Sequence, residues 1–185
     1  MMESFEAMRI VLEASRNSRL KGAARAAAES SGRLRKRKHA SVGQQLVVVG
    51  GDDGCCQLKS AEVYDTSARQ WRALPEMSVA RSSCAAVCID GNVYVVGGHD
   101  GGSYLKSAEM YDTSAGQWRA FPEMSVARGA CAAVCIEGNV YVVGGFDGAT
   151  RLANVECYDP VANEWRTLPS MSTVRSLCAA VACDL

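Results

Sequence analysis

Residues 93–128 read VYVVGGHDGGSYLKSAEMYDTSAGQWRAFPEMSVAR, and their landmarks return before and after this stretch at a fixed interval of 47 residues. The doublets Gly50-Gly51, Gly97-Gly98 and Gly144-Gly145 keep that step. So do Tyr64, Tyr111 and Tyr158, then Trp71, Trp118 and Trp165, and finally Arg81, Arg128 and Arg175. Residues 46–92 and 93–139 align without a gap and agree at 35 of 47 positions. The third copy, 140–185, keeps the landmarks while the residues between them drift. A period of this size marks one supersecondary unit copied in series, each copy burying its apolar face against the next.

Inside a copy the apolar pattern is that of strands. In the middle copy, short runs rich in Val, Tyr, Cys and Ala at 93–97, 107–111, 117–120 and 131–136 are bounded by Gly, Asp and Pro. Asp100-Gly101-Gly102 and the run from Asp112 to Gly116 carry turn chemistry, and Glu137-Gly138-Asn139 predicts a tight hairpin loop. Four short antiparallel strands make a small twisted sheet that cannot bury both faces alone. Stacked in series, such sheets build a propeller, so the expected fold is all-β: three four-stranded sheets forming a partial ring.

The pattern VYVVGGxDG, SxExYD, Trp, LPxM, Arg and a small-residue strand ending in a Gly-Asn turn resembles the kelch repeat, over 46–185. The resemblance implies one blade of a β-propeller per repeat (46–92, 93–139, 140–185). Residue chemistry agrees with structural roles for the landmarks. Paired glycines suit a strand end where the backbone turns with no room for a side chain. The three tryptophans supply apolar area for stacking, and Tyr64, Tyr111 and Tyr158 are read as structural landmarks beside them. Cys84-Ala85-Ala86-Val87-Cys88 is small enough for a strand near a crowded axis.

Recognition is expected on a rim of loops, because loops on a rigid scaffold carry binding. In kelch substrate adaptors one rim combines the loop after the Gly-Gly strand with the turn into the innermost strand, where an Arg often precedes a Ser. The matching positions are Arg81-Ser82, Arg128-Gly129 and Arg175-Ser176, with His99, Tyr104 and Phe146 in the neighbouring loops. An arginine presented once per blade would favour an acidic peptide through bidentate guanidinium–carboxylate pairing; the alternative is an ion pair inside the repeat. On the first reading, Arg128→Ala abolishes partner capture and leaves the fold intact.

Catalysis finds little support. The chain holds two histidines, His39 and His99, without a recognisable triad partner or metal-ligand cluster at either. A kelch-type oxidase would need Tyr, His and Cys ligands to copper, and no metal or cofactor is expected. Asp53, Asp100 and Asp147 recur in the glycine-rich turn and are read as turn residues bonding their own backbone. Cys84 and Cys88, like Cys131 and Cys135, stand four apart on a strand, about 13 Å, too far to share a metal. They are read as buried small hydrophobes, and Cys55-Cys56, in a loop, as the more reactive thiols.

The zero net charge conceals a split: residues 1–40 hold ten Lys/Arg against four Glu, and 41–185 hold ten against sixteen Asp/Glu. Residues 1–42 form a separate basic tail, helical in part between 3 and 29 or disordered, ending in Arg33-Leu34-Arg35-Lys36-Arg37-Lys38. That run suits a nuclear address or phosphate contacts, although nucleic acid is not the favoured partner. An odd cysteine count and the lack of a long apolar run point to a reducing, cytoplasmic or nuclear setting without a membrane anchor.

The favoured function is a non-enzymatic protein-interaction module, in substrate recognition for a ubiquitin ligase or in cytoskeletal (actin) binding. Three repeats span half of a six-bladed ring. The chain is therefore expected to be a fragment of a longer propeller, or to pair as a homodimer in which the strand 177–183 of each copy completes the other.

Overall fold

A computed structural model describes residues 44–184, and the basic tail with its expected helix, Arg33–Lys38 run and His39 lies outside the described residues. Eleven strands of five residues follow one another: β1 (Gln45–Val49), β2 (Ala61–Asp65), β3 (Gln70–Leu74), β4 (Ala85–Ile89), β5 (Asn92–Val96), β6 (Ala108–Asp112), β7 (Gln117–Phe121), β8 (Ala132–Ile136), β9 (Asn139–Val143), β10 (Val155–Asp159) and β11 (Glu164–Leu168). Every ladder is antiparallel, and no helix occurs among the described residues. They form a three-stranded sheet β1-β2-β3 and two four-stranded sheets, β4-β5-β6-β7 and β8-β9-β10-β11. The all-β partial propeller expected from the repeat is therefore the fold, although the first sheet has three strands and not the expected four, since no fourth strand pairs with it among the described residues.

Sheets and sequence copies are out of step by one strand. The last run of the first copy, β4, pairs with β5 of the second copy, and β8 likewise crosses to β9. The same run in the third copy, 177–183, is not a strand, because a strand exists only where a neighbour completes its ladder. Its one backbone tie of this kind runs from the Leu177 N–H to the Ala130 carbonyl, 2.8 Å.

Local chemistry sets the turns. The β4–β5 and β8–β9 loops are Asp90-Gly91 (φ 49° and 86°) and Glu137-Gly138 (φ 51° and 79°). Positive φ at both central residues is the type I′ geometry that matches strand twist. At the β6–β7 turn, Asp112 Oδ1 accepts from the N–H groups of Ser114 and Ala115, both at 3.0 Å. Asp65 and Asp159 do the same one period away, which explains the aspartate of each Tyr-Asp landmark.

Packing follows the sheet order. Val47, Val49 and Leu74 of the first sheet meet Val93, Val95 and Tyr111 of the second, with Met77 buried between them. A larger cluster joins the second and third sheets through Val96, Ala108, Met124, Val140, Val142 and Tyr158. The alanine-rich strands β4 and β8 lie side by side, as expected for small residues near an axis. Tyr64–Trp71, Tyr111–Trp118 and Tyr158–Trp165 are cross-strand pairs with ring centroids 5.2 Å apart in all three.

Trp118 and Trp165 pack against the two apolar clusters, as expected, and add a polar contact. Trp118 Nε1 donates to the Pro75 carbonyl and Trp165 Nε1 to the Pro122 carbonyl, both 2.7 Å, so each clamps the preceding sheet through a polar atom. Trp71, with no sheet before it among the described residues, is 49% exposed.

Candidate interaction surface

Two rims result. One carries the β4–β5, β6–β7, β8–β9 and β10–β11 turns; the other carries the loops after the glycine doublets and the crossovers that contain Arg81, Arg128 and Arg175.

The glycine doublets hold the second rim in place. A Cβ on Gly97 (φ 62°) would lie 2.2 Å from the Arg128 carbonyl oxygen, while Gly98 N–H donates to that same oxygen at 2.9 Å. Gly50-Gly51 treat the Arg81 carbonyl in the same way, and Gly144-Gly145 the Arg175 carbonyl. Each crossover is thus latched to its own sheet by backbone atoms that only paired glycines let approach.

The arginine side chains go elsewhere. Arg81 and Arg128 are fully buried. Arg81 Nε and Nη2 donate to Glu109 Oε1 at 3.2 and 3.0 Å, Nη1 to the Gly97 and Ser107 carbonyls, and Nη2 also to Ser107 Oγ, so all five donors are used. Arg128 reaches Glu156 Oε1 at 2.6 Å and the Gly144 and Asn154 carbonyls, leaving its buried Nε without a partner. Neither guanidinium reaches the rim, which corrects the expectation that these two form a cationic ring for a ligand. An ion pair forms instead, with an acid of the following sheet and not of the same repeat. Arg175 alone is exposed.

Glu109 also accepts from Ser78 N–H and Oγ and from Val79 N–H. Burial pushes its pKa up, but the hydrogen bonds from Ser78 and Arg81 and the Arg81 charge outweigh that and hold it below the ordinary value.

The loops after the doublets are stapled to the preceding crossover. Ser82 and His99 exchange two backbone hydrogen bonds of 2.9 Å, and Gly129 and Phe146 exchange another two of the same length. Within the loops, Asp100 Oδ1 accepts from Gly102 and Ser103 N–H, both at 2.8 Å, and Asp53 and Asp147 repeat the turn. These backbone bonds lower all three carboxyl pKa values. The aspartates act as turn residues, as the sequence suggested.

His99, Tyr104 and Phe146 come together in one half-buried row. His99 and Tyr104 meet edge to face at 4.9 Å, and Tyr104 and Phe146 at 5.3 Å, across the joint between the second and third sheets. A Cβ on Gly129 would lie 3.0 Å from the Tyr104 ring, and one on Gly148 3.1 Å from its other edge. The ring is slotted between two glycines, and a side chain at position 129 would require it to give by a few tenths of an ångström. Ser82, by contrast, is buried and its hydroxyl donates to the His99 carbonyl at 3.3 Å, so it is a structural residue and not a free contact. Ser176 is half-buried.

The character of the rim changes along the arc. The first loop offers Asp52, Asp53, Cys55, Cys56 and Gln57; the second and third offer the aromatic row and exposed Arg151. A signal for this was present in the sequence: the first two copies differ at 12 positions, and six of them (52, 55, 56, 57, 82 and 83) lie on this rim. Sequence reasoning placed Gly129 on this rim but gave it no role beside Tyr104, and it did not single out Gly148.

Among the described residues no group of three or more His, Cys, Asp or Glu is gathered to hold a metal, and no helix is long and apolar enough to cross a membrane. None of the nine cysteines is in a disulfide; Cys131 is buried and Cys84 and Cys135 half-buried, but Cys88 is exposed. Position 88 shares the β4 face of Cys84 and Ala86 but is left exposed, which corrects its assignment as a buried hydrophobe.

A family model described as the KLHDC2/KLHL20/DRC7 Kelch-repeats domain matches residues 24–184. An F-box/kelch-repeat protein of Arabidopsis thaliana is 41% identical over 56 residues, which are 30% of this chain and 12% of that protein. The chain thus aligns with about an eighth of the length of this curated relative.

Proposed function

Since this chain belongs to the kelch-repeat family, we propose that it is a protein-binding module whose contact surface is the rim built around His99, Tyr104 and Phe146. The observation that carries this reading is the Tyr104 ring, locked between two glycines and flanked edge-on by two further rings at 4.9 and 5.3 Å. A rigid aromatic group loses little entropy on binding, which is why such residues anchor interfaces. With Arg81 and Arg128 turned inward, an exposed cation beside the row is Arg151, whose backbone bridges that of Phe146. The partner is a protein segment that seats an apolar or aromatic side chain against the row, with an acidic contact at Arg151.

Substrate recognition for a ubiquitin ligase is the finer role we favour, on the likeness to an F-box/kelch-repeat protein. Panning a library of linear peptides against the chain tests the surface. Sequences enriched on the wild type should bind Tyr104→Ala and Phe146→Ala at least tenfold more weakly and bind Val161→Ala, altered on the opposite rim, unchanged. Equal binding by all three would reject the surface.

A further inference from the structure

The two joints between sheets are built alike, and each needs parts from both sides. At both, an arginine from the crossover of one sheet enters the next and meets a glutamate on its third-from-edge strand, Arg81 with Glu109 and Arg128 with Glu156. At both, a tryptophan of the later sheet donates to a proline carbonyl of the earlier one. Serine N–H groups at 78 and 125 cap the same glutamates at 2.8 Å.

One period outward, each end of the array holds one half of this joint. The first sheet carries Glu62 on β2 and Trp71 on β3, both exposed, with the Gly50 and Ser60 carbonyls that correspond to the arginine's other acceptors. The third sheet carries Arg175, Ser172 and Pro169, all exposed. Among the described residues neither Glu62 nor Arg175 has an ion-pair partner.

The arginine half is already set. Arg175 N–H donates to the Leu152 carbonyl at 2.9 Å and its carbonyl accepts from Gly145 at 2.7 Å, the geometry that Arg128 and Arg81 show with Leu105 and Leu58. The crossover is therefore held in its joint-forming shape without a sheet to receive it. Exposed apolar side chains, Val174 at 52% and Leu177 at 74%, stand beside it, and Trp71 stands at the other end.

We propose that two copies of this chain join head to tail, the Arg175 crossover of each seating Glu62 of the other, with Trp71 of each donating to Pro169 of the other. The ends of a single chain are complementary in charge, hydrogen bonding and apolar surface because both derive from one repeated joint. A twofold pair uses each end once and leaves none open, a closed form of head-to-tail contact.

The mass of the full chain in solution at micromolar concentration tests this directly. The expected value is twice 19.7 kDa; a mass of one chain, or a ladder of higher multiples, would overturn the pair. Glu62→Arg and Arg175→Glu each place like charges at both contacts and should weaken association on the order of a hundredfold. Mixed in equal amounts, the two variants present matched charges at both contacts and should recover the mass of two chains. Either variant pairing with itself as well as the wild type does, or a mixture of folded variants that stays apart, would also overturn the proposal. Should a variant fail to fold, the wild-type mass decides alone.

Discussion

Arg81 and Glu109 meet across the joint between the first and second sheets with Nη2 and Oε1 3.0 Å apart, and neither side chain is more than 3% exposed. Paired ions removed from water depend on each other: the remaining partner cannot find solvent when one is lost. These positions therefore hold the sheets together, and the fold depends on them more than on any exposed contact.

Arg81→Ala should cost about 3–5 kcal/mol by stranding the Glu109 carboxylate. Arg128→Ala should cost a similar amount, somewhat less because its Nε is already unpaired. Arg119→Ala, which removes an exposed pair with Asp112, should change stability by about 0–1 kcal/mol. Urea unfolding at neutral pH separates the three. Loss of binding with the fold intact, the outcome expected of Arg128 from sequence, is not expected of a buried residue.

Acid should loosen the joints. Glu109 has a folded-state pKa below its ordinary 4.5, so its contribution is fully present above about pH 4.5 and is lost as the pH falls through the folded value. Asp53, Asp65, Asp100, Asp112, Asp147 and Asp159 are shifted in the same direction by the turn hydrogen bonds. The urea midpoint should be level from pH 7 to about 5 and fall below that, and Glu109→Gln should reduce the slope.

Gly97→Ala should be among the most damaging single changes. It forces a side chain into φ 62° and onto a carbonyl oxygen 2.2 Å away. Gly138→Ala meets only the backbone term, since nothing lies within 4 Å of its Cβ position, and should cost about 1–2 kcal/mol. Thermal unfolding of the two variants should differ accordingly, with Gly97→Ala failing to fold or melting far lower.

Thiol labelling should follow burial and ionisation. Desolvation pushes the Cys84 thiol up to about 11, which leaves almost no thiolate at pH 8. Cys55, Cys56, Cys88 and Cys183 are exposed. A thiol-exchange reagent at pH 8 should modify these four first, and Cys84 and Cys131 only after denaturant is added, as peptide mapping would show.

The strands and turns were legible in the chain because their causes are local. Alternation in VYVV, Asp followed by Gly, and the repeated doublet are read within a few residues, and the predicted runs 93–97, 107–111, 117–120 and 131–136 coincide with β5 to β8 within one or two residues. The destination of the arginines was not legible. Arg81 and its acid are 28 residues apart and on different sheets, so no local pattern distinguishes a rim arginine from a buried one. The same holds for Tyr104, whose slot is made by Gly129 and Gly148 of the next copy.

By itself, then, the amino-acid order determined how many sheets form and their succession, since a 47-residue period repeats every local instruction, whereas the last run of each of the first two copies joins the sheet of the next. Only the stacking of those sheets decided which copies of an identical residue are satisfied. Arg81 and Arg128 have a following sheet and are buried, whereas Arg175 has none among the described residues and faces water. Burial belongs to neighbours in space, and the pairing of a joint's arginine depends on whether a second surface arrives to close it.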